Sequence, residues 1–273
     1  MIQHRYKVPF VLASTAHGPV ILSAIDWRPI SGTHVEFGVG TDLLISGEYD
    51  TANISMVTAC LEDRRQKHGA GAVALDCGAN IGIYTMDLAR AMEGWGQVLS
   101  FEPQERIYYA LCGNLAINNI FNAKAHHVAL GAKSGQAEMP IIDYQEPNQY
   151  GGIALGAGEP VAMIAVDDLG LKRLDFLKID VEGHEVQVLE GARKSIEAYK
   201  PYMFVEWHIC GKEPLEKLLK PLGFELAYVG MNAWVGQPGP VMERFKHLSK
   251  LGEEYHERTS KQDIRAGLNG GAR

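Results

Sequence analysis

The sequence predicts an α/β protein, doubly wound around a mostly parallel sheet with helices on both faces. Three observations carry that expectation. Short apolar runs at Val73–Leu75, Gln97–Phe101, His126–Leu130, Phe176–Ile179 and Met203–Trp207 alternate with helical stretches near 82–92, 104–120 and 184–198. Strands covered on both faces read as continuous apolar runs, and parallel neighbours need a helical crossover between them. The run before Asp76 opens directly into a glycine turn, the feature that marks the crevice of a doubly wound sheet. The 273 residues are 46% hydrophobic and 22% charged, enough for a core and too apolar for a disordered chain.

The elements before that core read as a small N-terminal β-rich extension and a helix, residues 1–70. Strands are expected at Pro9–Leu12, Val20–Ile25 and Val35–Val39, separated by Gly, Pro and Ser. A helix follows from about Ala52 to Lys67, and Gly69-Ala70-Gly71 ends it. The core spans 71–240. Within it, Gly131–Val166 interrupts the alternation with extra strands at Ala137–Ile142 and Val161–Val166, flanking the loop DYQEPNQYGGIALGAGEP at 143–160. Residues 241–273 form a charged helical tail. Its Phe245, Leu248, Leu251 and Tyr255 share one face, which either docks on its own domain or joins copies into a homo-oligomer. The end, Gly267 to Arg273, is expected to fray.

Charge and cysteine usage narrow the function. With 26 Lys and Arg against 33 Asp and Glu, the net charge is −7. A protein built to grip nucleic-acid backbone is normally basic, so no nucleic-acid partner is expected, nor an anionic membrane surface. No apolar run approaches the ~18 residues of a transmembrane segment. The stretch Val8 to Ala13 is too short for a signal peptide and Pro9 interrupts it. The cysteines at 60, 77, 112 and 210 form no C-x-x-C pair and no zinc spacing. Scattered thiols point to a reducing, cytoplasmic setting.

VALDCGANIGIYT is the most informative stretch. Gly78 lets backbone approach a ligand, and Gly82 lets the new helix pack tightly on the strand. Free N–H groups at the helix start favour an anionic group such as a carboxylate. Asp76 can accept from an ammonium or place a water. Glu102 closes the next strand, 102 − 82 = 20 positions beyond the last glycine, where a carboxylate suits a ribose diol. A dinucleotide site uses G-x-G-x-x-G; Gly78-Ala79-Asn80-Ile81-Gly82 lacks the middle glycine that clears pyrophosphate. A nucleotide with an amino-acid end fits better, and S-adenosyl-L-methionine is the ligand expected.

A second cluster lies at the ends of two later strands. LDFLKIDVEGHE delivers Asp180, with Glu182 and His184 leading into a helix, and YMFVEWH delivers Glu206 and His208. Facing the same crevice, these groups could orient or deprotonate a nucleophile. Each has a plainer reading. Glu182 complements a helix dipole, His184 is a surface residue, and Glu206 and His208 pair with each other. Carboxylates and a histidine also bind divalent metals, but without a compact ligand motif no metal is expected.

The pieces DCGANIGIYT, SFEPQERIYYALCGNLAINN, VALG and DDLGLKRLDFLKIDVEGHEVQVLEGA, across about 72–207, together resemble the FkbM family of methyltransferases. The resemblance implies a class I S-adenosylmethionine-dependent fold, a Rossmann-like seven-stranded sheet with one reversed strand. It implies O-methylation of a hydroxyl on a sugar, a glycan or a secondary metabolite. Carried over, Asp76, Gly78, Ala79, Asn80 and Gly82 surround the methionine part of the cofactor. Glu102 holds the ribose, and Pro103 and Gln104 line the adenine side. Asp180 stands beside the reacting methyl as the first candidate base, with Glu182, His184, Glu206 and His208 behind it. The 143–160 loop could close over the site, with Tyr144 and Tyr150 available to stack on a sugar. Two other functions use such a sheet: a nicotinamide-dependent oxidoreductase and a non-catalytic scaffold or binding protein.

Overall fold

The computed structural model describes residues 9–29 and 36–253. Its centre is a seven-stranded sheet whose strands we number in chain order: β1 (Ala72–Cys77), β2 (Gly96–Phe101), β3 (Ala123–His126), β4 (Phe176–Ile179), β5 (Tyr202–Glu206), β6 (Glu225–Val229) and β7 (Asn232–Gly236). The spatial order is β6-β7-β5-β4-β1-β2-β3. All neighbours pair in parallel except at β7, which runs antiparallel to both β5 and β6. The order reverses beside β1, so the crevice opens above the ends of β1 and β4.

Period-2 alternation splits the sheet's side chains between two cores. Ala72, Ala74, Phe176, Phe204 and Trp234 join the core that also buries Leu22, Leu43, Val57 and Phe245. Leu75, Leu177, Ile179, Val205 and Val235 join the opposite core, under the helices Glu185–Gly191, Arg193–Tyr199 and Lys212–Leu219. The same parity assigns Asp76 and Lys178, register partners in β1 and β4, to the first face.

Several expected elements take a different form. The helix read at 184–198 breaks at Ala192 into two helices of seven residues each. His126–Leu130 is not one strand. His126 closes β3, while Ala129–Leu130 joins Gly135–Met139 and Glu159–Ile164 in a separate three-stranded sheet. Among the described residues of the first 70, helix exceeds strand. A hairpin, Phe10–Thr15 with Gly18–Ser23, and the pair Arg28–Pro29 with Glu36–Phe37 are followed by helices Val39–Ser46 and Thr51–His68. Asn114 ties the hairpin to the core, accepting from Ile21 N–H and donating to the carbonyls of Ile21 and Ile81.

The tail's apolar stripe is used within the chain. Residues 240–253 are helical, with Met242 and Phe245 buried and the Phe245 ring 4.4 Å from Trp234. Leu251 remains exposed. Val35, Tyr255 and the segment from Gly267 to Arg273 lie outside the described residues. No described helix is long and apolar enough to cross a membrane.

Candidate active site

The turn after β1 is built by steric necessity. Gly78 has φ +77, and a Cβ there would stand 1.7 Å from the carbonyl oxygen of Asp180. Its first duty is to let the ends of β1 and β4 meet, rather than to admit a ligand. Gly82, at φ +91, would place a Cβ 2.4 Å from Leu111 Cδ1; it packs against the next helix, not against its own strand. Between them Asn80 adopts φ +50 and its N–H donates to Glu102 Oε2 at 2.9 Å. The other oxygen, Oε1, accepts from Gln104 N–H at 2.9 Å. Glu102 is thereby fixed at the end of β2, each oxygen keeping a second lone-pair direction for a ligand. Burial pushes its carboxyl up to about 7.

The turn after β4 is braced by Glu185. This fully buried residue accepts from Val181 N–H at 3.2 Å and Gly183 N–H at 3.0 Å through one oxygen, Oε1. Glu182 sits at the apex with φ +52, a conformation costing a residue with a full side chain roughly 1–2 kcal/mol. Burial first, then the neighbouring Asp180, pushes its carboxyl up to about 7. Glu206, at the end of β5, is pushed up to about 9 by burial and by Asp180.

A buried lysine organises these acids. Lys178 Nζ lies 3.4 Å from Asp76 Oδ1 and 3.3 Å from Asp180 Oδ2, and donates to the Gly78 carbonyl. It stands 5.1 Å from the centre of the Tyr84 ring. Burial opposes its charge, but Asp180 and Asp76 outweigh burial and hold the ammonium above its ordinary value. Asp76 is fully buried and also accepts from Thr85 Oγ1 at 2.6 Å. It therefore lies beneath the crevice and lines neither of its chambers, in contrast to its expected place around a ligand.

Two chambers adjoin here, sharing Gly78, Asn80, Gly151, Asp180 and Glu182. The first is narrow, about 60 Å³, with Glu102, Pro103, Gln104 and His184 in its wall beside apolar Phe101, Leu130, Ile153 and Leu155. The second, about 600 Å³, brings Ala79 together with Tyr49, Asp50, Tyr84, Lys178 and Glu206. His208 lines neither chamber; its Nδ1 lies 3.3 Å from Glu206 Oε1. Carboxylate oxygens of Asp180, Glu182 and Glu206 lie within 4.8 Å of one another, close enough to share a cation.

The 143–160 loop is part of the wall. Gln104 Nε2 donates to the Tyr150 carbonyl at 2.8 Å, and Tyr150 N–H donates to the buried Asp26. Tyr150 is wholly buried, so it supports the loop and offers no face to a sugar. Tyr144 packs on it, ring centres 5.0 Å apart. Lys178, Glu185 and the N-terminal Tyr49 and Asp50 went unrecognised in the sequence. A lysine inside the buried run FLKI is the signal that pointed to the first, since a charge there demands partners. The contact of Asp50 with Tyr84 OH spans 34 residues and has no local signature.

A mostly parallel seven-stranded sheet with one reversed strand, opening on this crevice, is the Rossmann-like architecture of methyltransferases. Residues 76–217 match the methyltransferase FkbM domain, and the chain belongs to that family. It is 26% identical over 190 residues to methyltransferase sdnD of Sordaria araneosa, covering 56% of this chain and 73% of that protein. Against methyltransferase 1 of Beauveria bassiana strain ARSEF 2860 it is 26% identical over 142 residues, covering 43% of this chain and 57% of that one. The solved methyltransferase FkbM of Methylobacillus flagellatus KT superposes at a TM-score of 0.45 with 18% identity, over 61% of this chain and 43% of that chain.

Proposed function

We propose that this FkbM-family methyltransferase takes its methyl group from S-adenosylmethionine and transfers it to a hydroxyl of a sugar, a glycan or a secondary metabolite. The observation that carries this reading is the convergence of the Gly78–Asn80 turn, Glu102 and Asp180 on two adjoining chambers. Glu102, Pro103, Gln104 and the apolar wall of the first chamber would hold the nucleoside, the carboxylate facing its diol. Gly78, Ala79 and Asn80 would hold the amino-acid end. At about 60 Å³ the first chamber is far below the 300–1,000 Å³ of typical ligand sites. The Gly151–Leu155 wall must therefore draw back to admit a nucleoside, as a lid would. When bound, the cofactor supplies an electrophilic methyl carbon on a sulfonium.

The chain's own part is to present the acceptor oxygen and remove its proton. Asp180 accepts the hydroxyl's hydrogen bond while Lys178 fixes the carboxylate in place. Glu182, pushed up to about 7, has the basicity suited to taking that proton near neutral pH. Glu206 keeps its proton below about pH 9 and acts there as a hydrogen-bond donor. Calorimetric titration with S-adenosylmethionine, S-adenosylhomocysteine and NADH tests the reading. Micromolar binding of both adenosyl ligands without NADH is expected. Binding of NADH alone would overturn it in favour of an oxidoreductase, and silence from all three would favour a scaffold.

A further inference from the structure

Asp26 lines neither chamber but holds a wall of each. Its Oδ1 accepts from Tyr150 N–H at 2.8 Å and its Oδ2 from Gly40 N–H at 3.0 Å. Tyr150 leads into the wall of the first chamber, where Gly151, Ile153 and Leu155 stand. Gly40 lies in the first turn of helix Val39–Ser46, whose Val39, Asp42 and Ile45 line the second. The path continues towards the nucleoside side. Tyr150 C=O accepts from Gln104 Nε2 at 2.8 Å, and Gln104 N–H donates to Glu102 Oε1 at 2.9 Å. Glu102, Gln104, Tyr150 and Asp26 are all buried, so no bulk water replaces a bond that parts.

Both ends of this strut are tight. A Cβ at Gly38 would stand 2.2 Å from the Asp26 carbonyl oxygen, and one at Gly40 would stand 2.8 Å from Asp26 Cβ. Thr41 Oγ1 donates to the same Asp26 carbonyl at 3.2 Å. On the other side Asn148 N–H donates to the Ile25 carbonyl at 3.2 Å, and Asn148 bridges with Asp26. The first chamber's wall therefore cannot draw back without stretching this chain or carrying Asp26 and the helix start along. We infer that Asp26 is a positioning residue that couples the two chambers, transmitting nucleoside entry beside Gln104 and Tyr150 to helix Val39–Ser46. Binding in either chamber then changes affinity in the other by the same factor. The inference rests on the first chamber being the proposed nucleoside site. A continuous network is a coupling only where both ends respond together, which hydrogen exchange measures.

The test is amide exchange of the full chain, read by mass spectrometry on peptides covering 38–46 and 148–155, with and without saturating S-adenosylhomocysteine. Both peptides of the wild type are expected to slow by roughly threefold or more on loading. Adenosine, which lacks the amino-acid end and so reaches the first chamber alone, should slow 38–46 as well. Asp26→Asn keeps one oxygen acceptor but sets an amide NH2 against one of the two N–H groups. In it, 148–155 should still slow while 38–46 no longer responds. Thr41→Val loosens the same helix start without cutting the chain, and its response should persist. A merely structural Asp26 would leave the two variants alike. The inference is overturned by a wild-type 38–46 peptide indifferent to S-adenosylhomocysteine, by slowing with that ligand but not with adenosine, or by slowing that survives in Asp26→Asn. Should Asp26→Asn not fold, the two ligands on wild type decide. Failure to bind S-adenosylhomocysteine, read by the titration above, would remove the cofactor reading and the coupling together, whereas loading without a response at 38–46 removes the coupling alone.

Discussion

The turn after β1 bends through Gly78 at φ +77, Asn80 at φ +50 and Gly82 at φ +91, residue types that visit the left-handed region readily, whereas the turn after β4 places the longer side chain of Glu182 at φ +52, followed by Gly183 at φ +95. The first is crowded: a Cβ at either glycine would overlap Asp180 or Leu111. The second has a stored strain that Glu185 holds in place through two backbone N–H groups. One turn is fixed by lack of space together with the hold of Glu102 on Asn80 N–H, and the other by the buried carboxylate of Glu185 alone. Strain retained where a group faces the reaction points to a working residue, and Glu182 faces both chambers.

Substitutions that treat the two turns alike should therefore give opposite results. Gly78→Ala is expected to destabilise most, by roughly 4 kcal/mol or more, the range of severe backbone conflict; a denaturant midpoint within error of wild type would show that the β1–β4 approach is looser than described. Because that variant damages the fold, loss of ligand binding in it says little about contact with a ligand. Lys178→Met should cost about 3 kcal/mol by leaving Asp76 buried without its cation. Burial already raises the Asp76 carboxyl, with Lys178 opposing. Without Lys178 the folded protein holds that proton to still higher pH, while the unfolded chain releases it near its ordinary value. Stability then falls as pH rises, and the deficit measured by thermal melts should be larger at pH 8 than at pH 5.

Glu182→Gly, by contrast, should stabilise by up to about 1 kcal/mol through release of the left-handed strain, while slowing methyl transfer by roughly 10²-fold or more through loss of the base. Stabilisation with undiminished turnover would reduce Glu182 to a structural residue. Glu206→Gln gives the smallest effect at low pH. The wild-type carboxyl titrates at about 9 in the folded chain against an ordinary value of 4.5. Between those values only the unfolded chain has lost the proton, so wild-type stability declines as pH rises through this window. The variant, which has no proton to lose, should melt higher than wild type at pH 8 by roughly 2–4 °C for each kcal/mol recovered, and the difference should close towards pH 4.5.

The same contrast explains what the sequence disclosed. The turn after β1 is local: glycines, a strand and a spaced Glu102 lie within one βαβ unit, and their spacing named the crevice. Asp180, Glu182 and Glu206 were legible as acids at strand ends, and the structure gathers them. Parity turns the Asp76 side chain towards Lys178, beneath the chambers, a placement that its position at the end of an apolar run did not disclose. The last two strands were not visible as apolar runs. ELAYV and NAWVG are short and only partly buried in β6, and their sheet position was legible through the family resemblance. Helix Val39–Ser46 was hidden by glycines at 38, 40 and 47, two of which pack against Asp26. The contributions of Tyr49, Asp50 and Asp26 depend on folding the N-terminal segment over the crevice, which no local pattern encodes.

The central claim is that Glu102 and the Gly78–Asn80 turn form a site for an adenosyl ligand. It is tested most directly by titrating wild type and Glu102→Gln with S-adenosylhomocysteine under identical conditions. The substitution preserves side-chain size but sets an amide NH2 against one of the two backbone N–H groups, of Asn80 or Gln104, that the carboxylate accepts from, so circular dichroism and the thermal midpoint must first match wild type. Micromolar binding by wild type and at least tenfold weaker binding by the variant is the expected result. Equal affinities, or no binding by wild type, would contradict the account.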